Sequence, residues 1–453
     1  MSNARLARFS IERLFGLYDH IIELNLDERI TIIIGPNGRG KTVCLKFIEA
    51  LFRKRYAYFD DIPFYRAEFL FSNGDSIEIR RAEEWERDSD DGTPEPGLLF
   101  CLNIAGKDHI QWRPAAVDAG IRRDIRRYVP PQWDQVAPDL WIDQTDGEEL
   151  SLVELASRYH LPPKLISSLR QEIPGEFLNL IGGIDCHLIE TQRLLVLPSG
   201  PAEEEHDFGY MPRRRNVGSR LAIQQKAQKL RSIMKDTIAN YANLSQSLDR
   251  SFPLRVIEAQ GSTMQSQEEL RKRLKLLDQK REALMSAGIL DSELKTVTMK
   301  GGNIEPGVAM VLDIYVNDTI QKLDVFNGLR ARLDLFKELI ERRFIDKTLL
   351  VDREGGFRVV SKTGLDVPLE KLSSGEQHQL ILVFDLLFEV TENSLILIDE
   401  PELSLHVAWQ KSFIESLRRI IELNAFDVLL ATHSPAVVAR HFDLAVELGP
   451  VDG

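Results

Sequence analysis

Cysteine is scarce. Cys44, Cys101 and Cys186 are the three in 453 residues, too few and too scattered for a disulfide framework or a metal cluster. Long apolar runs are missing too. No stretch approaches the ~18 consecutive apolar residues of a membrane-spanning helix, and the opening MSNARLARFSIERLFG lacks the apolar core of an export signal. A reduced, cytoplasmic chain that engages no membrane is the expectation. Excess positive charge is also absent: the net charge is −13 and the pI is near 5.3. That disfavours indiscriminate coating of nucleic acid, because phosphate contacts need clustered Lys and Arg. A local basic groove stays open.

What is present is a globular composition, 43% hydrophobic and 28% charged, in a chain long enough for two or three packed units. Residues 29–55, RITIIIGPNGRGKTVCLKFIEALFRKR, run from a β-branched strand through a glycine-rich turn into an amphipathic helix. FLFSNGDSIEIR, 69–80, reads as a hairpin turning at Asn73-Gly74. Residues 85–97 read as an exposed loop, and 118–181 as a mostly helical insertion punctuated by paired prolines. CHLIETQRLLVL, 186–197, is a strand, followed by a Pro- and Gly-rich linker.

Beyond the linker the period changes. Leu230, Met234, Thr237, Tyr241, Leu244 and Leu248 follow a 4-3 spacing, as do Leu270, Leu274, Leu277, Arg281 and Leu284. These seams fit either a short antiparallel coiled coil or ordinary amphipathic bundle helices. A third helical stretch, 308–345, leads to two short strands near 347–360. The last hundred residues then alternate helix and strand, with one helix expected over about 405–423. This is an α/β signature. The expected organisation is an N-terminal lobe (1–117), the helical insertion (118–181), a head strand (182–197), the linker (198–219), a helical or coiled-coil arm (220–345) and a C-terminal lobe (346–453).

Gly35-Pro36-Asn37-Gly38-Arg39-Gly40-Lys41-Thr42 fits G-x-x-x-x-G-K-[ST] in the strand–turn–helix context that pattern requires. Its glycines let backbone N–H groups converge on phosphate oxygens. Lys41 would reach the β- and γ-phosphates, and Thr42 would offer its hydroxyl to Mg²⁺. SLILIDE, 394–400, is a buried strand ending in two carboxylates, which is costly unless they meet a cation. Asp399 suits Mg²⁺, and Glu400 suits activation of an attacking water. His433 ends another apolar strand and suits a γ-phosphate sensor. Gln192, after a further strand, suits orientation of water or Mg²⁺. Either residue could instead be making ordinary hydrogen bonds.

GPNGRGKT, ETQRL, LSSGEQ, LILIDEPELSLH and LATHSP resemble, in order, the motifs of ABC-type ATPases. The branch is that of structural-maintenance-of-chromosomes proteins, the Rad50 and RecF repair ATPases and OLD-type ATPases. The resemblance implies an α/β head built around the phosphate-binding loop, with a helical or short coiled-coil insertion. It implies ATP and Mg²⁺ as cofactors, with Lys41 and Thr42 as Walker A ligands and Gln192 in the Q-loop. Asp399 and Glu400 match Walker B, His433 the H-loop, Ser404 the D-loop, and Ser373 and Gly375 the signature motif. The signature core reads LSSGE where LSGGQ is common. An adenine-stacking aromatic could be Phe15 or Tyr18.

In that superfamily the signature contacts ATP held by the other subunit, so a homodimer through ATP-sandwiched heads is implied, and with it a higher homo-oligomer. The chain ends twenty residues after His433, without the Toprim domain that OLD-type nucleases carry there. Similarity to the ATPases of the Septu and PARIS anti-phage systems therefore implies control of a separately encoded effector nuclease, HNH or Toprim-like, triggered by DNA or a phage protein. Two alternatives remain. One is a DNA-repair or DNA-end-binding ATPase using basic stretches at 122–127, 213–215 and 271–273, each of which reads more simply as a solvated helix face or linker. The other is an ATP-gated scaffold.

Overall fold

The computed structural model describes residues 4–81, 97–104, 106, 109–113, 125–137, 140–143, 149–162, 173–190, 217–259, 266–290, 304–403, 405 and 407–449. The chain divides into two units, 1–219 with 390–453, and 220–389.

The first unit is built on a parallel sheet of β3 (Ile30–Ile34), β11 (Cys186–Glu190), β15 (Leu395–Asp399), β16 (Asp427–Ala431) and β17 (Ala445–Glu447), numbered in chain order. Their spatial order is β11-β15-β16-β3-β17. The three central strands, β15, β16 and β3, are nearly continuous apolar runs, as a sheet covered on both faces requires. Ile32, Ile396, Leu397, Ile398, Leu429 and Leu430 are fully buried. The register sets Glu190 beside Asp399, Asp399 beside Ala431, and Ala431 beside Ile33. The loops after four strands thus leave from one edge, the C-terminal edge where open α/β sheets bind ligands. Helix α1 (Lys41–Phe52) buries Cys44, Leu45, Phe47, Ile48 and Leu51 in the core of this unit.

An antiparallel sheet in the same unit runs β2-β1-β4-β5-β6-β7, with β1 Leu6–Leu14, β2 Tyr18–Glu23, β4 Arg66–Phe71, β5 Ser76–Arg81, β6 Leu98–Asn103 and β7 Ile110–Trp112. Strand β4, RAEFLF, buries every second residue, the period expected of a strand with one face in the core. The expected hairpin is β4–β5, and Gly74 takes the positive φ its turn needs (87°).

Residues 118–181 differ from expectation over their described part. They hold a three-stranded antiparallel sheet of β8 (Trp133–Ala137), β9 (Leu140–Asp143) and β10 (Glu149–Ser151), beside short helices at Leu152–Arg158 and Gly175–Ile181. Trp133, Trp141 and Leu155 form its small core. Strands of three to five residues leave too little alternation to register against a helical background.

The second unit holds α2 (Val217–Glu258) from Arg220 on, then α3 (Gln267–Ser286), α4 (Pro306–Asp324) and α5 (Asn327–Glu341). The helical stretch expected over about 308–345 comprises two helices, and between them Phe326 is fully buried, its ring 5.2 Å from that of Tyr241. Every residue of the second seam is buried on α3. Its partner, however, is α4: Leu270 and Leu274 share a cluster with Ala309 and Val316. The polar pairs Gln267–Ile304, Arg273–Asp313 and Lys280–Asp324 rise together in number, so α3 and α4 run parallel. Arg255–Asp318, Asp249–Lys322 and Tyr241–Phe326 run oppositely, so the antiparallel partner of α2 is α4. α4 thus contacts both α3, which it parallels, and α2, which it opposes.

The unit closes with a small sheet of β12 (Lys347–Asp352), β13 (Gly356–Ser361) and β14 (Asp366–Val367), then α6 (Ser374–Phe384), which continues into a π-helical turn at Asp385–Glu389.

Candidate functional site

The glycine-rich turn leaves β3 in a conformation other residues resist. Gly35, Gly38 and Gly40 all have positive φ (149°, 81° and 86°). A Cβ on Gly35 would lie 2.8 Å from the Leu448 carbonyl oxygen, and one on Gly40 would lie 2.7 Å from Leu14 Cδ2. At Gly35 substitution is therefore blocked by backbone packing as well as by backbone preference, whereas at Gly40 it requires Leu14 to shift.

Lys41 opens α1 and is only 5% exposed. Its Nζ donates to the carbonyls of Gly35 (2.8 Å) and Pro36 (3.1 Å) and lies 3.3 Å from His433 Nδ1. An ammonium has three protons, so all three are engaged and Nδ1 is the accepting nitrogen of His433. Nε2 then carries the ring proton and faces Glu400 Oε1 at 3.5 Å. Burial pulls the Lys41 ammonium below the usual lysine value, against the raising influence of Glu400, Asp399 and Glu402. Thr42 donates its hydroxyl to Asp399 Oδ2 at 2.9 Å.

Glu400 has φ 46°, a left-handed conformation uncommon outside glycine. Its N–H donates to the Ala431 carbonyl at 2.9 Å, tying the end of β15 to the end of β16. Lys41, Thr42, Asp399, Glu400 and His433 therefore converge at one edge of one sheet. Gln192 and Ser404 lie outside the described residues.

Of the two candidate stacking aromatics, Phe15 is 41% exposed. Tyr18 already stacks on His20 (5.8 Å, 10° between planes) and lies under the Arg39 guanidinium at 5.0 Å. His20 Nε2 in turn lies 2.7 Å from the Arg39 carbonyl oxygen.

Ser373 and Gly375 belong to the second unit, at the start of α6. Ser373 is the N-cap of a complete capping box. Glu376 N–H donates to Ser373 Oγ (3.3 Å), while Ser373 N–H and Oγ–H both donate to Glu376 Oε2 (2.9 Å each). Lys347 Nζ holds the other oxygen of Glu376 at 2.6 Å. Burial raises the Glu376 pKa, but the bonds from Lys347 and Ser373 prevail and hold it below the usual value. Ser373 and Ser374 are exposed, so the helix N-terminus presents its donors to solvent.

Two residues not singled out in the sequence also serve the site. Glu402 and Gln410 bond to the turn that carries His433. A second acid two residues beyond Glu400, in DEPE, was the available signal. The single expected helix over 405–423 is interrupted here, into Val407–Gln410 and Phe413–Asn424.

The family model described as "AAA domain, putative AbiEii toxin, Type IV TA system" (AAA_21) matches residues 236–439. That segment is similar to the AAA_21 domains that the model describes. The match takes in α6, β15, β16 and His433, and the G-x-x-x-x-G-K-T pattern at 35–42 lies ahead of it. The chain is similar to protein ea59 of Escherichia phage lambda, 36% identical over 70 residues. It is also similar to UvrABC system protein A of Aquifex aeolicus (strain VF5), 26% identical over 161 residues. These stretches are 16% and 36% of this chain and span 13% and 15% of those relatives.

Among solved structures, the Pyrococcus furiosus Smc head with an extended coiled coil, bound to the C-terminal domain of ScpA, overlaps 96% of this chain and 91% of its own. Its TM-score is 0.34 at 13% identity. The Thermotoga maritima SMC head overlaps the same shares at TM-score 0.31 and 12% identity. The mixed α/β architecture with its helical insertion is read from strand order and the loop at 35–42. No helix of the described residues is long and apolar enough to cross a membrane.

Proposed function

We propose that this chain hydrolyses ATP with Mg²⁺ as a nucleotide-driven switch, and that the switch controls a separately encoded effector nuclease in an anti-phage system. The observation that carries the ATPase reading is the convergence of Lys41, His433 and Glu400 beside the Thr42–Asp399 pair.

Each residue then has a task. The Gly35–Gly40 turn and the N-terminus of α1 offer backbone donors to phosphate oxygens. Lys41, whose protons are spent on carbonyls and His433, exchanges those partners for the β- and γ-phosphates. Thr42 and Asp399 form a pair of oxygen ligands of the hard type Mg²⁺ takes, and Mg²⁺ held there would neutralise developing phosphate charge. Glu400 accepts the proton of the attacking water. His433 turns from Lys41 toward the γ-phosphate, and Gln192 orients water or metal. Ser373 and Gly375 offer the exposed start of α6 to the nucleotide of a second copy, so that ATP draws two heads together and hydrolysis frees them.

The defence reading draws on the toxin and toxin–antitoxin terms in the AAA_21 description; HNH or Toprim-like nucleases are the fitting effectors. The likeness to a UvrABC component favours a second reading, direct action on DNA. Against it, Arg126 and Arg273 of the candidate basic stretches are engaged in ion pairs with Asp134 and Asp313. The test is phosphate release from Mg²⁺-ATP by the purified chain, alone and co-expressed with the nuclease encoded beside it. Turnover with co-purification of that nuclease is expected. Tight, salt-sensitive DNA binding by the chain alone would favour the second reading, and absence of both turnover and ATP retention would sink the ATPase.

A further inference from the structure

The turn after β16 is gripped by the segment after β15. Glu402 Oε2 accepts the Thr432 hydroxyl at 2.7 Å, and Oε1 accepts the His433 backbone N–H at 2.7 Å. Thr432 Oγ1 accepts the N–H of Ser434 (3.0 Å), and Ser434 Oγ donates to Gln410 Oε1 (2.8 Å). The amide nitrogen of Gln410 returns to the carbonyls of Glu402 (3.3 Å) and Leu405 (3.0 Å). The bonds close a ring: Glu402 to Thr432 and His433, on to Ser434, through Gln410 and back to Glu402.

A carboxylate with both oxygens committed to one dipeptide fixes that dipeptide in orientation as well as position. Charge-assisted bonds at 2.7 Å are the stronger kind. The gripped dipeptide contains His433, and the gripping residue lies two positions after Glu400. The Glu400 N–H bond to Ala431 anchors the same two chain segments one step closer to the sheet. The two side chains assigned to one phosphate are thereby tied to one another through the backbone that carries them.

We propose, on the ATPase reading of Glu400 and His433, that Glu402 and Gln410 are positioning residues that hold His433 in register with Glu400 for the chemical step. Glu402 fixes the His433 backbone, and Gln410 fixes the turn beyond it and braces Glu402 from behind. Neither side chain takes a proton from substrate.

The test is a double-mutant cycle on the full chain: wild type, Glu402→Ala, His433→Ala and the pair, with Glu402→Gln and Gln410→Ala as milder variants. Glu402→Ala should lower kcat about 10- to 100-fold, the size of a small misplacement at a reacting centre, with the KM for ATP nearly unchanged. In the His433→Ala background the same change should cost nothing further, because its effect runs through that histidine. Glu402→Gln, which keeps one acceptor, should fall between, and should carry the result if the alanine variant does not fold. Losses that multiply in the pair, or Glu402→Ala turnover within twofold of wild type, overturn the proposal.

Backbone hydrogen exchange over 431–436 separates this from failure of the ATPase reading. If wild type hydrolyses nothing, Glu402→Ala should still speed exchange there. Unchanged exchange would dismiss the clamp itself.

Discussion

Ser373→Ala separates two roles that one serine fills in this account. As the N-cap of α6 it accepts the Glu376 N–H, while Glu376 returns a bond to its backbone. Losing such a cap costs about 1 kcal/mol. The Lys347–Glu376 pair survives the change, so no buried charge is stranded. For a unit the size of 220–389, the melting temperature should fall by about 2–4 °C.

The nucleotide role predicts a different scale. A hydrogen bond to a charged phosphate contributes about 1.5–3 kcal/mol, so each composite site should lose roughly 10- to 100-fold in ATP-dependent association. A symmetric pair of heads has two such sites. Sedimentation velocity with ATP in a Glu400→Gln background reads the association, and thermal unfolding reads the cap. A small stability loss with abolished association is the expected pair of results. A small stability loss with unchanged association would make Ser373 a helix cap and nothing more, and a loss of several kcal/mol would refute the estimate of the cap.

Two further outcomes concern the second unit. Lys226 pairs with both Asp385 (2.8 Å) and Glu389 (2.7 Å). Burial, with Glu389 adding to it and Lys226 opposing, pushes the Asp385 carboxyl up to about 7. The folded chain therefore keeps a proton that the unfolded chain releases in the ordinary carboxylate range, and stability should fall as pH rises through that window to about 7. Asp385→Asn should flatten the dependence in urea unfolding at pH 5 and pH 7.5, and an unchanged slope would assign it elsewhere. Gly356 has φ 79°, and a Cβ there would strike the Ala227 carbonyl of α2. Gly356→Ala should destabilise by about 2–5 kcal/mol, combining the left-handed backbone with backbone overlap; a loss under about 0.5 kcal/mol in a urea titration would contradict the close approach.

The legible features were those written in adjacent residues. The loop at 35–42, the Asn73-Gly74 turn and the apolar strand ending at Asp399-Glu400 each carry their own signal. So does the Leu270–Leu284 seam, whose members are all buried. What a seam does not carry is its partner. α4 lies alongside α3 in parallel, and no local pattern records that pairing. The sheet around Trp133 and Trp141 hid behind polar residues in very short strands. The ring through Glu402, Thr432, Ser434 and Gln410 joins residues 24–31 apart, a distance at which hydrogen bonding leaves no periodic trace.

Glu400 decides the account. In the wild-type chain it sits beyond a buried strand, 3.5 Å from His433 and in a strained backbone conformation. Phosphate release and retained nucleotide, measured together for wild type and Glu400→Gln, are the direct test. The account predicts that the variant binds Mg²⁺-ATP as wild type does and releases phosphate at least about 100-fold more slowly, as expected when a general base is lost. A variant that turns over ATP at the wild-type rate would contradict it.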